Sequence, residues 1–113
     1  MMESIVQIDK ENYKIFYELV KGQMESQFLK KDIAYYTVMH KKTNQISYVF
    51  SGEGFIIMND KQYKIKEGSL IFIPKNTAHS FVVNSEKMNV FHFHDPKDYL
   101  DNDIFVVKEG NHG

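Results

Sequence analysis

The chain has no cysteine, which excludes disulfides and thiolate metal sites and makes a cytoplasmic setting the simplest expectation. It lacks any apolar run near the roughly 18 residues a membrane span requires. Its first stretch, "MMESIVQIDKENYK", is acidic early and has no apolar block, so no secretion signal and no membrane partner are expected. No strong charge of either sign is present: the net charge of −1 argues against a nucleic-acid partner held by a broad basic surface. Internal repeats, low-complexity tracts and linkers are also missing. Hydrophobic residues make up 42% and aromatics 14% of 113 residues, enough for one packed core but not two. One domain over residues 1–113 is therefore expected, with its core over about 33–95, an N-terminal segment 1–32 that packs on it or on a partner, and a C-terminal tail 97–113.

From Ile33 onward, short apolar and alternating runs follow one another: "IAYYTVMH", "ISYVF", "FIIMND", "YKIKEG", "SLIFIP", "HSFVVN" and "NVFHFHD". Breaks at Gly52 and Gly54, Asn59-Asp60, Gly68, Pro74-Lys75-Asn76 and Asn84-Ser85 have the spacing of an all-β sandwich or barrel. The segment "NYKIFYELVKG" fits a helix through Tyr13, Phe16, Tyr17 and Val20, and a strand through Tyr13, Ile15, Tyr17 and Leu19. Its aromatic content tips the reading toward strand. In the tail, Ile104 to Val107 is expected to add an edge strand, and the terminal "GNHG" to fray with His112 at the surface.

The segment "GSLIFIPKNTAHSF" resembles the second signature motif of the cupins: a Gly, five residues, a Pro, one residue, a Gly, two residues and a His. Gly68, Pro74 and His79 fall in register. Asn76 replaces the second Gly, and Asn tolerates a left-handed turn. The motif's following Asn would fall at Val83, with Asn84 one place late. Upstream, "QISYVFSGEG" is similar to the end of the first motif, with Gln45 where that motif has Glu, and Val38 and His40 at its two histidine positions. The resemblance covers about residues 33–95 and implies an all-β, cupin-type double-stranded β-helix, a small jelly-roll-like barrel with a pocket at its mouth.

In the common cupin pattern three histidines and a glutamate hold a metal. This chain keeps His40 and His79, has Val38 for the first His, and offers at Gln45 only a neutral carbonyl oxygen. Two further histidines, His92 and His94 in "VFHFHDP", share one face of a strand. By resemblance to the thiol dioxygenases, whose His and Tyr lie two apart on the corresponding strand, they would face the barrel interior beside the strand carrying His40. The competing arrangement buries Phe91 and Phe93 and turns both histidines to solvent. The expected metal set is His40, His79, His92 and His94, for a divalent transition metal (Zn, Fe, Ni or Mn). Tyr36, Gln45, Tyr48, Phe50, Phe72 and Phe81 are the expected ligand-binding wall.

The resemblance implies a small-molecule ligand and a homodimer, with the N-terminal aromatic segment and "DIFVV" at the contact. Two functions compete, beside a blander third reading, a structural dimer with a vestigial pocket. One is a metal-dependent isomerase, epimerase or lyase on a small oxygenated substrate, with dioxygenase chemistry as a sub-case. The other is a metal-free sensor or ligand-binding cupin, similar to the sugar-binding domain of arabinose-type regulators. No helix-turn-helix pattern accompanies it here. Fold alone does not choose between them.

Overall fold

The computed structural model describes residues 5–20, 22, 24–96 and 103–108; the "GNHG" terminus and His112 lie outside the described residues. Among the described residues, ten strands and one helix follow in the order β1 (Ile5–Gln7), α1 (Lys10–Val20), β2 (Met24–Lys30), β3 (Thr37–Met39), β4 (Asn44–Ser51), β5 (Glu53–Met58), β6 (Lys61–Lys66), β7 (Ser69–Ile73), β8 (His79–Val83), β9 (Lys87–Asp95) and β10 (Phe105–Lys108). They form two five-stranded sheets, ordered β1-β7-β4-β9-β2 and β10-β3-β8-β5-β6. Every pairing is antiparallel. The all-β cupin-type barrel expected from the motifs is the architecture observed. No helix of the described residues is long and apolar enough to cross a membrane.

Side chains that alternate along each strand meet between the sheets. Leu29, Val49, Ile71 and Val90 from the first sheet pack with Ile56 and Phe81 from the second in one buried cluster. Turn chemistry supports the register. Asn59 and Asp60 both take positive φ (48° and 68°) between the paired strands β5 and β6, the requirement of a tight hairpin turn. Asn76, at the motif's second Gly position, has φ 67°, and its N–H donates to the His40 carbonyl at 2.6 Å. The β7–β8 turn is thereby tied to the end of β3.

Residues 10–20 form a helix, not a strand. Asp9 caps it: its carboxylate accepts the Asn12 N–H at 2.8 Å, and its carbonyl the Tyr13 N–H at 3.0 Å. The aromatic residues that suggested a strand instead form one face of the helix. Tyr13 is buried against the outside of the first sheet, stacked on Tyr48 with centroids 4.2 Å apart. Phe50 and Phe91 complete this cluster. The barrel also takes β1 and β2 from before residue 33, and "IAYYTVMH" contributes only three residues of strand.

Gly54 sits where two strands come close: a Cβ there would run into the Val82 carbonyl oxygen and crowd the Val83 Cα at 3.1 Å, both backbone atoms of β8. Gly54→Ala is therefore expected to destabilise the fold by about 1–3 kcal/mol. Gly22→Ala, whose Cβ meets nothing within 4 Å, should stay within about 0.5 kcal/mol of the parent. Urea unfolding of the two variants compares them directly, and equal midpoints would refute the steric reading.

Candidate functional site

Strand β9 decides the character of the pocket. Met88, Val90, His92 and His94 are its buried positions, while Asn89, Phe91 and Phe93 occupy the other face. Phenylalanine can point outward here because α1 and its Tyr13 cover that side of the sheet around Phe91. The neighbour of β9 is not the strand leading to His40: β9 lies between β4 and β2. His40 follows β3 in the opposite sheet and reaches His94 across the barrel, ring centres 5.2 Å apart. His79, first residue of β8, stands 5.3 Å from His40 by the same measure. All four histidines are buried and line one cavity of about 430 Å³ with Gln45, Phe81, Leu29, Tyr35, Gln27 and Glu25 among its walls.

The other sequence-predicted wall residues lie elsewhere. Tyr48 and Phe50 point to the outer face of β4, Tyr48 beneath Tyr13 and Phe50 part-exposed beside it. Phe72 lines a separate outer groove with Phe93, Ile46 and Pro74. Tyr36 is 57% exposed and is not among the cavity walls. Period-two alternation accounts for these placements: Gln45, Ser47 and Val49 face in, so Ile46, Tyr48 and Phe50 cannot.

Each histidine has a defined proton position, because an oxygen that can only accept fixes the N–H that donates to it. His40 Nδ1–H donates to the Asp103 carbonyl at 2.8 Å, and His79 Nδ1–H to the Thr77 carbonyl at 3.0 Å. His94 Nε2–H donates to Gln45 Oε1 at 3.2 Å. His92 is engaged at both nitrogens: Nε2–H donates to Gln27 Oε1 at 2.7 Å, and Nδ1 accepts from the Ser47 hydroxyl at 2.7 Å, with Gln45 Nε2 at 3.1 Å. His40, His79 and His94 thus each keep one ring nitrogen outside these tethers, whereas His92 keeps none.

Asp103 binds the pocket from the far end of the chain. Its carboxylate accepts the N–H groups of Lys41 and Lys42 at 2.8 and 2.7 Å, and the N–H and hydroxyl of Thr43 at 3.0 and 3.3 Å. Burial alone would raise its pKa; those donors outweigh burial and hold it below the ordinary carboxylate value. Ser47, Gln27 and Asp103 were not singled out in the sequence. Ser47 was findable as the residue two beyond Gln45 on the same face, and Gln27 only once β2 is recognised. Asp103 carries no local signal.

Donor chemistry and spacing give different answers on a metal. Two imidazoles sharing an ion at the usual 2.0–2.1 Å have ring centres about 5 Å apart, close to the separations of His40 from His79 and His94. Among the described residues, however, no three His, Cys, Asp or Glu side chains converge tightly enough to hold an ion as they stand.

Burial pushes His79 down to about 4, against its hydrogen bond to Thr77 and helped by His40. It pushes His92 to about 3 and His94 to about 4, with the neighbouring histidines adding to the shift. The pocket imidazoles at these three positions are neutral at pH 7 and suited to act as nitrogen donors. Because the unfolded chain gains protons below its ordinary histidine pKa of about 6.5 and the folded one does not until about 4, stability is fully present above that ordinary value. It is lost as pH falls between the two. In metal-free protein, urea unfolding at pH 7.5 and 4.5 is expected to differ by on the order of a few kcal/mol, lower at acid pH; equal stabilities would refute burial of neutral rings.

The Cupin_2 family, described as a cupin domain, matches residues 17–94. Comparison with curated proteins gives no match. Among solved structures, a cupin protein from Bacteroides fragilis is similar at 16% identity and TM-score 0.58, over 63% of this chain and 62% of that one. The salicylate 1,2-dioxygenase from Pseudaminobacter salicylatoxidans is similar at 19% identity and TM-score 0.65, over 74% of this chain and 24% of the enzyme. A putative sugar phosphate isomerase from Acidithiobacillus ferrooxidans matches at 22% identity and TM-score 0.58, over 63% of this chain and 47% of the other. The chain spans less than two thirds of each, and at these identities the likeness is one of fold. With the family match running from α1 to the last pocket histidine over an antiparallel two-sheet barrel, the chain belongs to the cupin family.

Proposed function

We propose that the cavity is a small-molecule site built around a divalent transition metal, Zn, Fe, Ni or Mn, held by His40 Nε2, His79 Nε2 and His94 Nδ1. One observation carries this reading: three imidazoles lining one cavity each spend one N–H on a protein oxygen and keep the other nitrogen for a ligand. Such an outer hydrogen bond fixes tautomer and ring orientation in histidine metal sites. A bound ion would act as a Lewis acid toward a carbonyl or hydroxyl oxygen of the ligand. Leu29, Tyr35, Val38 and Phe81 would pack against the carbon skeleton and exclude water, since they form the apolar part of the wall. Glu25, on the inner face of β2 at the rim, is the carboxyl among the described wall residues that could take or return a proton. His92, with both nitrogens engaged, is not free to do so. An isomerase, epimerase or lyase type of reaction on an oxygenated substrate fits these parts.

A metal-free ligand-binding role is the second reading, and the lack, among the described residues, of three side chains converging on one ion favours it. We further propose a homodimer through β10, the edge strand of the second sheet, where Phe105, Val106 and Val107 are each at least 40% exposed.

Untagged protein measured by elemental mass spectrometry is expected to carry close to one equivalent of metal. His79→Ala and His94→Ala should reduce it roughly tenfold or more, and His92→Ala should retain most of it. No metal after incubation with divalent ions would sink the metal reading in favour of the second one. Light scattering should give twice the chain mass and Val106→Lys a monomer; a monomeric parent would exclude the β10 interface.

A further inference from the structure

Gln45 occupies the position where the family motif has a carboxylate, and an amide differs from a carboxylate in having donors as well as an acceptor. Here both ends of the amide are used. Ser47 has one hydroxyl hydrogen, and its contact with His92 Nδ1 at 2.7 Å is the shorter of its two. The Gln45 amide nitrogen can only donate, so Ser47 Oγ accepts its N–H at 2.8 Å, and the one hydroxyl hydrogen is left for Nδ1. With Nδ1 accepting, the His92 proton stands on Nε2, where Gln27 Oε1 receives it. With the amide nitrogen turned toward Ser47 and His92, the amide oxygen faces His94, whose Nε2 must then carry the proton. Each step follows from the one before, and the orientation of one amide sets two imidazole tautomers.

We propose that Gln45 is the positioning residue of this pocket. It holds His94 as the Nε2–H tautomer with its Nδ1 lone pair open, and it engages His92 so that this ring stays out of the donor set. A glutamate in the same place would still accept from His94, but could not donate to Ser47 or His92. The replacement of Glu by Gln therefore trades a direct anionic donor for a proton-bearing one that organises its neighbours. This inference deepens the three-histidine reading and rests on it only for its metal consequence; the tautomer assignment stands without any ion.

Long-range proton–nitrogen correlation spectra of the imidazoles, on metal-free protein at pH 7.5, read the tautomers directly. His92 and His94 are expected as Nε2–H forms, and His40 and His79 as Nδ1–H forms. Gln45→Leu, similar in volume but without polar atoms, should release His94 into a tautomer mixture and weaken zinc binding 10–100-fold by chelator competition. Gln45→Glu keeps the acceptor and should preserve the His94 tautomer with zinc affinity at or above the parent. If Gln45→Leu does not fold, Gln45→Met removes the same polar atoms with an unbranched chain and takes its place. A Nδ1–H form of His94 in the parent, or an unchanged tautomer and affinity in the apolar variant, would overturn the proposal by reducing Gln45 to a packing residue. Absence of zinc binding in the parent would remove the three-histidine reading and leave the spectra to decide this one.

Discussion

A buried imidazole N–H must find an oxygen, and in this barrel the oxygens come from four separate parts of the chain. His92 finds Gln27 on β2, His94 finds Gln45 on β4, His79 finds Thr77 in its own turn, and His40 finds Asp103 beyond β9. An unmade bond at any of these sites would leave a desolvated polar group costing about 1–3 kcal/mol. The requirement therefore draws elements distant in sequence onto one pocket. It also accounts for the position of Asp103. Asp103 grips the 41–43 backbone with its carboxylate while its carbonyl orients His40, so one residue both closes the loop and aims the ring.

The second organising feature is on the outside. A strand reading Phe-His-Phe-His can bury either pair, and transfer energies favour burying phenylalanine. The chain covers one of the two phenylalanines itself: α1 lays Tyr13 over Tyr48, Phe50 and Phe91, while Phe93 lines the outer groove with Phe72. Apolar area is then buried on the outer face while the inner face is left for the polar network. The helix and the pocket are in this sense one device.

Much of this was legible from residues alone, for identifiable reasons. Gly68, Pro74 and His79 fix a strand, a turn and a pocket residue because each type is demanded by local geometry, and Asn76 at φ 67° behaves as its left-handed tolerance implies. Strands β4 to β9 announce themselves as short apolar or alternating runs between turn residues. What was not legible depends on contacts between distant segments. The helix over 10–20 was one of two readings of its segment, and aromatic content tipped the choice to strand; the Asp9 cap that decides it is a contact of the folded chain. Strand β2 reads as polar because only Leu29 is fully buried in it, and it supplies Gln27 to His92. Wall residues such as Tyr48 and Phe50 were misplaced because aromatic character says nothing of which face a residue takes. Counting alternation outward from Gln45 places them correctly.

The substitutions at the motif positions then take on a different meaning. Val38 for histidine and Gln45 for glutamate look like erosion when each position is compared separately. Taken with their neighbours they are compensated: Val38 pairs with His79 across β3 and β8 and lines the apolar wall, while His94 brings a ring into the cavity from β9. Gln45 gives up charge and gains the N–H groups that hold Ser47 and His92. A barrel whose inner face is set by alternation can exchange one polar constellation for another without moving a strand, provided every buried imidazole N–H still meets an acceptor. That proviso, more than the identity of any single residue, is what constrains the chemistry this pocket can host.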